Sequence, residues 1–304
     1  MVSRVSVTLT QLRSFLAVVR AGSVTAAADE LVVTQPSVSA ALAALARELD
    51  APLFHRDGRG LRLTAAGEAF APYAADVVGL LDQGAVAVSE ASAAAASVLR
   101  IAAVTTAAES FVPGLMHAFA AERPGTRVTL AVGNREQVFA GLLGHASDVA
   151  FAGRPPEDDR LTTRAFLPNR LVLISAPSDP LAGGATVPAG ALREHSWLLR
   201  EPGSGTRAVN ERFLEAAGLS VRTLTVGSNG AIKQAARVGL GVALLSYDAV
   251  AADVEAGLLG VIAVDPAPAP RDWHVVRSRV GPVRPVVADF LAFVTSPHAR
   301  TAPA

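Results

Sequence analysis

Three short polar segments in the C-terminal two-thirds of this 304-residue chain carry the side chains best equipped for chemistry, and that chemistry is the holding of an anion. Arg200-Glu-Pro-Gly-Ser-Gly-Thr-Arg207 is a glycine turn that opens a helix. The N–H groups of Gly203, Ser204 and Gly205, the hydroxyls of Ser204 and Thr206 and the guanidinium of Arg207 form an anion cradle there. Gly227-Ser-Asn-Gly-Ala-Ile-Lys233 is a second helix start, with Ser228, Asn229 and the only lysine of the chain. Thr105-Thr106, directly after a strand, offers hydroxyls and amides at a helix entrance, and Asn134 follows the next strand. Each has a plainer reading as a cap, a turn or a solvated lysine. Two anion-suited helix starts in one cleft favour a small, negatively charged metabolite, so Arg207→Ala and Lys233→Ala are expected to weaken the response to it.

Catalysis is not expected. The six histidines, His55, His117, His145, His195, His274 and His298, show no metal-ligand spacing, and Ser204 has no assigned base, which leaves a serine hydrolase as a remote alternative. Without cysteine the chain has no disulfide, no thiolate nucleophile and no cysteine-held zinc, in keeping with a reducing cytoplasm. No catalytic residue, metal ligand or cofactor is assigned beyond the small anionic effector.

A second set of polar residues lies near the N-terminus and suits contact with double-stranded DNA. With 27 basic and 27 acidic residues the chain has no general attraction to polyanions, so DNA binding must come from local placement. Ser23 reads as the N-cap of a short helix with Ala26, Ala27 and Leu31 on its inner face. After a turn at Val32 to Thr34 a second helix begins near Gln35, with Pro36 at its first position and Val38, Leu42, Leu45 and Leu49 facing inward. Thr34, Gln35, Pro36, Ser37 and Ser39 stay outside, a small polar first turn that can enter a major groove. Asp57-Gly58 reads as a hairpin turn between Leu53-Phe54 and Leu61-x-Leu63. It presents Arg56, Arg59 and Arg62 for phosphate contacts beside that helix.

The elements that position these two sets follow from periodicity. From Ala65 to Ala96, Phe70, Tyr73, Val77, Leu80, Leu81, Ala85 and Val88 recur at helical spacing, and Thr64 caps the run. A helix of about 30 residues is about 45 Å long and needs a partner, expected to be the same helix of a second subunit, which would favour a pseudo-palindromic DNA site. Beyond Val98 short apolar strands alternate with helices, which predicts a parallel α/β arrangement. Strands are expected at residues 98–104, 127–132, 148–152, 170–175, 196–199, 222–226, 241–245 and 273–277. Breaks at Leu167-Pro168-Asn169 and Asp265 to Pro270 read as paired hinges between two lobes. The five-residue apolar run at Phe15 to Val19 is too short for a signal peptide, and no stretch is long and apolar enough for a membrane span.

Residues 8–66 resemble the winged helix-turn-helix of LysR-type transcriptional regulators, through Leu12, Phe15, Gly22, Ala27, Leu31, Gln35, Pro36, Ser37, Leu45, Leu53, Phe54, Arg56, Leu63, Thr64 and Gly67 among others. Ala41, Ala46 and Asp50 depart from the usual pattern, which bears on the strength and preference of DNA binding. The resemblance implies an α+β multidomain chain. Residues 1–64 would be the winged helix-turn-helix, 65–97 the linker helix, and 98–304 a two-lobed α/β effector domain like periplasmic binding proteins. Lobe I would take about 98–168 and 271–304, and lobe II about 169–270. It also implies a cytoplasmic DNA-binding regulator, a homodimer or dimer of dimers, acting on RNA polymerase. A solute-binding protein is the competing class, since the two-lobed domain alone would suit it. Glu201-Pro-Gly-Ser-Gly-Thr-Arg207, Gly227-Ser-Asn229, Gly239-Leu-Gly-Val-Ala-Leu-Leu-Ser246 and Trp273-His-Val-Val276 look most like the Calvin-cycle-operon branch, which responds to phosphorylated sugars and nucleotides.

Overall fold

The computed structural model describes residues 6–58, 60–92 and 97–296. The chain divides into two compact units, Met1–Ala95 with Leu143–Ala146, and Ala96–Leu142 with Ser147–Ala304. Among the described residues no helix is long and apolar enough to cross a membrane.

In the first unit every helix start is held by its own cap. Helix α1 (Leu9–Ala21) opens on a reciprocal capping box between Thr8 and Gln11. Helix α2 (Val24–Leu31) opens on Ser23, whose Oγ accepts from the Ala26 N–H at 3.1 Å. Helix α3 (Gln35–Glu48) opens on Thr34, whose Oγ1 accepts from the Ser37 N–H at 3.4 Å. Pro36 is thus its second residue rather than its first, where a missing N–H still costs nothing. Strands β1 (Phe54–Asp57) and β2 (Gly60–Leu63) pair antiparallel with Asp57 opposite Gly60. Asp57 therefore belongs to the strand rather than to the turn that the sequence suggested, and the turn begins at Gly58. Phe15 of α1 is fully buried, and its ring meets Phe54 of the hairpin at 5.3 Å and Phe70 of the next helix at 5.5 Å.

That next helix, α4 (Ala65–Ala91), is capped by Thr64, whose Oγ1 accepts from the Gly67 N–H at 3.1 Å. A Cβ on Gly67 would lie 2.1 Å from the Leu53 carbonyl oxygen, so only glycine lets α4 pass this close to the hairpin. The expected end at Ala96 falls in residues 93–96, outside the described residues. Tyr73, Val77, Leu81 and Val88 form an exposed apolar stripe along α4.

The second unit is built of two lobes. In lobe I, β3 (Val98–Val104) is followed by the short α5 (Thr105–Glu109), α6 (Val112–Glu122), β4 (Arg127–Gly133), α7 (Arg135–Leu143), β5 (Val149–Ala152) and β6 (Leu161–Asn169). Lobe II runs through β7 (Leu171–Ser175), β8 (Val187–Pro188), β9 (Trp197–Leu199), α8 (Gly205–Ala216), β10 (Thr223–Thr225), α9 (Asn229–Arg237), β11 (Ala243–Ser246), α10 (Ala251–Glu255), β12 (Gly260–Ile262) and β13 (Val264–Asp265). The chain then returns to lobe I as β14 (Arg271–Ser278) and α11 (Pro285–Val294).

The lobe I sheet has the order β4-β3-β5-β14-β6. Strand β3 runs parallel to β4 and β5, but β14 is antiparallel to both its neighbours, and β7 pairs antiparallel with β11 and β12. The arrangement is mixed, not parallel, because β14 enters the sheet on the return from lobe II. Leu167-Pro168-Asn169 is not a hinge but the end of β6. Pro168 is tolerated because β6 is an edge strand, where a missing N–H breaks no ladder. The crossings are instead at Arg170 and at 266–270, and they lie side by side because Asn169 pairs with Arg271. Lobe I packs around Phe111, Phe119, Phe151, Trp273 and Phe290, and lobe II around Trp197, Leu199, Phe213 and Leu244.

Candidate effector cleft and DNA-reading helix

A cavity of about 530 Å³ opens between the two lobes. Three lobe I strand ends reach it: Thr105 and Thr106 after β3, Gly133 to Arg135 after β4, and Gly153 and Arg154 after β5. From lobe II come Arg200, Ser204 and the first turns of α8. The carboxyl ends of strands are where such sheets leave room for ligands.

Five arginines, Arg135, Arg154, Arg200, Arg212 and Arg271, line the cavity against one acid, Glu157. Burial holds Arg271 down to about 10; repulsion from Arg212 adds to this, and Asp248 opposes it. Arg135 is lowered by burial and then by Arg154, while Arg212 is lowered by burial and then by Arg154 and Arg135. The guanidiniums therefore repel one another, and the field they create favours an entering anion.

Three of these arginines are held by neighbours. Arg271 sits over Trp273, 5.9 Å from the ring centre. With the Asn169 amide oriented to satisfy its neighbours, its oxygen accepts from Arg271 at 3.0 and 3.2 Å and its nitrogen donates to Ser246 Oγ at 2.9 Å. Arg135 Nε donates to the Arg154 carbonyl at 2.8 Å. Arg200, only 4% exposed, donates to both Glu201 oxygens at 2.7 and 2.9 Å and to Asn229 Oδ1 at 2.7 Å.

The residues expected to hold an anion divide into two groups. Thr105, Thr106, Asn134, Ser204, Gly205 and Thr206 line the cavity. Asn134 also caps α7 through the Gln137 N–H at 2.9 Å, and the Ser204 side chain makes no cap bond to α8. Gly203, at φ +82°, shapes the turn, since a Cβ there would crowd Glu136 and Asn134.

Arg207, Ser228, Asn229 and Lys233 are absent from the lining. Arg207 pairs with Glu211 at 2.7 Å and donates to the Arg200 carbonyl, while Lys233 pairs with Asp253 at 2.7 Å. Ser228 spends its hydroxyl on the Ala231 N–H, so the α9 start is already capped. Asn229 is fully buried behind the lining, bridging Arg200 and Thr106.

In the first unit, Thr34, Gln35, Pro36, Ser37 and Ser39 lie at the start of α3 and Ser23 at the start of α2, with Gln35, Pro36, Ser37 and Ser39 exposed and Val38 and Leu45 buried. Arg56 and Arg62 are exposed on the hairpin, Arg62 paired with Asp57, and Arg59 lies outside the described residues. The polar face of α3 and the hairpin arginines are thus presented together by one small core.

Residues 9–68 match the bacterial regulatory helix-turn-helix protein model of the lysR family, and residues 92–297 match the LysR substrate binding domain model. The chain belongs to the LysR family of transcriptional regulators. The HTH-type transcriptional activator CmpR of Synechocystis is 33% identical over 288 residues, covering 94% of each chain. The RuBisCO operon transcriptional regulator of Allochromatium vinosum is 35% identical over 295 residues, covering 97% of each. The Synechocystis CcmR regulatory domain, solved in complex with 2-PG (2-phosphoglycolate), superposes with a TM-score of 0.63 at 33% identity, covering 68% of this chain and 99% of that one. These LysR-type relatives are regulators of transcription, not enzymes or transport components. The cavity around Ser204 also has no histidine among its described lining residues.

For this LysR-type regulator, sequence reading missed Arg135, Arg154, Arg200, Arg212 and Arg271. Arg200 opens the very segment singled out, and Arg135 follows Asn134. Arg212 had a readable signal: Gly205, Ala208 and Arg212 fall at helical spacing on one face of α8, while Arg207 lies off that face. Arg154, two residues after the expected strand 148–152, had the same strand-end signal as Thr105 and Asn134, whereas Arg271 carries no local signal, because the return crossing from lobe II brings it to the cleft.

Proposed function

We propose that this LysR-type regulator is controlled by a small, multiply charged metabolite with a phosphoryl group, bound in the interlobe cavity. The observation that carries this reading is the excess of five arginines over one acid around about 530 Å³. Guanidiniums match phosphoryl and carboxylate oxygens in pairs, and α8 adds backbone donors at its first turn. The 2-phosphoglycolate held by the related CcmR domain carries both anionic groups in a molecule small enough for this volume.

DNA would be read by Gln35, Pro36, Ser37 and Ser39 in the major groove, with Thr34, Ser23 and the wing arginines Arg56, Arg59 and Arg62 on phosphates. The exposed α4 stripe of Tyr73, Val77, Leu81 and Val88 supports a homodimer through paired linker helices and hence a pseudo-palindromic promoter site. An anion that binds one lobe arrangement more tightly than another would shift the dimer geometry on DNA and the recruitment of RNA polymerase. Relatives named for the RuBisCO operon support carbon-fixation genes as targets.

The test is calorimetric titration of the full chain with 2-phosphoglycolate, followed by binding to its own upstream DNA with and without that anion. Saturable binding that alters DNA affinity or footprint supports the reading. Specific DNA binding with no response to phosphorylated anions would remove the effector half and leave the regulator.

A further inference from the structure

We infer that the effector domain holds a second small-molecule site, behind the first, for an amphipathic organic anion: an apolar body carrying a single acidic group. A separate cavity of about 640 Å³ lies between α8 and the proline-rich crossing at 266–270. That volume is within the usual span of small-molecule sites, roughly 300–1,000 Å³. Its floor is apolar, formed by Leu171, Val209, Phe213 and Leu244, and Pro266, Pro268 and Pro270 make a stiff opposite wall.

The charge in this cavity is confined to one end. Arg154, Arg212 and Arg271 belong to the linings of both cavities and form a common wall, and the repulsion of Arg212 by Arg154 and of Arg271 by Arg212 places their guanidiniums near one another. Asp272 is the one acid among the described lining residues. His274 also lines the cavity. A purely apolar guest would leave the arginine wall desolvated and unpaired, whereas a compact polyanion would bury charge against Phe213 and Leu244. An apolar body with one acidic group meets both ends.

The shared wall has a consequence for regulation. Negative charge in one cavity neutralises guanidiniums that the other needs, so the two occupants oppose each other, and by linkage the effect is equal in both directions.

The experiment uses the full chain and 8-anilino-1-naphthalenesulfonate, an aromatic body with one sulfonate, followed by fluorescence titration. Ala217→Trp and Ala269→Trp fill the second cavity from opposite walls, and neither position lines the first cavity. Stoichiometric probe binding is expected, weakened about tenfold or more in either variant by loss of space. Affinity for 2-phosphoglycolate should stay within about twofold in the variants, yet fall about threefold or more when the wild type is saturated with probe. Absence of stoichiometric binding, or probe affinity unchanged in both variants, overturns the site. Phosphoglycolate affinity indifferent to saturating probe overturns the shared wall. A wild type that binds probe but not phosphoglycolate would count against the first cavity's proposed ligand, while the variant comparison would still decide the second site.

Discussion

Asn229 Nδ2 donates to Thr106 Oγ1 at 2.9 Å, joining the first residue of α9 in lobe II to α5 in lobe I. The same amide donates to Glu109 at 3.2 Å, and its oxygen accepts from Arg200 at 2.7 Å. One buried side chain thus ties a cavity-lining hydroxyl, a cavity-lining arginine and both lobes together. Asn229→Ala is expected to leave Arg200 short of a partner and cost about 1–3 kcal/mol of domain stability. It should also weaken phosphoglycolate binding. Urea unfolding and calorimetry on the variant check both, and an unchanged unfolding midpoint would refute the bridge's importance.

The cavity arginines should outweigh the ones that the sequence made prominent. Arg212→Ala is expected to cost about 1.5–3 kcal/mol of phosphoglycolate affinity, the range for hydrogen bonds to charged groups. Arg207→Ala and Lys233→Ala, whose side chains are already paired to Glu211 and Asp253, should stay within about threefold of wild type. The ranking of the three dissociation constants is the readout, and Lys233→Ala as the most damaging change would reverse it.

Arginines arranged for an absent anion repel each other, so function and stability should trade. Arg212→Met is expected to raise the melting temperature of the ligand-free protein while abolishing most of the rise that phosphoglycolate produces. In wild type that ligand effect should reach about 2.7 kcal/mol at a hundredfold excess over the dissociation constant. Differential scanning fluorimetry with and without ligand separates the two effects.

Burial, then repulsion from Arg212, brings Arg271 down to about 10, below the ordinary arginine range. The folded protein therefore gives up this proton before the unfolded chain does. The penalty for burying the charge is present below about pH 10, and stability contributed at this site rises with pH from there towards the unfolded value. Anion binding has the opposite dependence, because it needs the charged form. Phosphoglycolate affinity is expected to hold steady at neutral to mildly alkaline pH and to fall as pH rises through about 10. On the acid side it should weaken near the second phosphate ionisation at about 6. Affinity that stays constant through pH 10 in titrations on wild type would show that Arg271 keeps its charge there, and Arg271→Ala would then test its place in the site.

DNA binding should separate reading from anchoring. Gln35→Ala is expected to cost about 1–3 kcal/mol on the specific site and little on random DNA, whereas Arg56→Ala should weaken both and lower the salt slope by about one. Leu81→Glu, in the exposed stripe of α4, should shift sedimentation from dimer toward monomer and weaken promoter binding with it. A Leu81→Glu protein that still sediments as the wild type would remove the stripe from the interface.

Local order in this protein was written in the sequence. Ser23, Thr34 and Thr64 cap their helices through contacts only three residues away, and the apolar periodicity of α3 and α4 sorts Val38 and Leu45 to the core. Eight of the twelve described strands of the two lobes were legible for the same reason, each being a short apolar run between turns, whereas β6, β8, β12 and β13 were not. What the sequence could not contain was register across long separations. Strand β6 was hidden by Pro168, which is harmless only because β14 leaves β6 at the sheet edge. The helix starts at 204 and 228 looked equivalent, yet Ser228 caps its own helix while Ser204 leaves its first turn uncapped. Arg271 has no local pattern, and it meets Arg154 and Arg212 because two chain crossings, paired through Asn169 and Arg271, bring distant chain segments together. Sequence determined the helices, most of the strands and the exposed polar face of α3, since those depend on neighbours. The anion cavity was decided by tertiary structure, since like charges gather in one place only when a folded core holds them there.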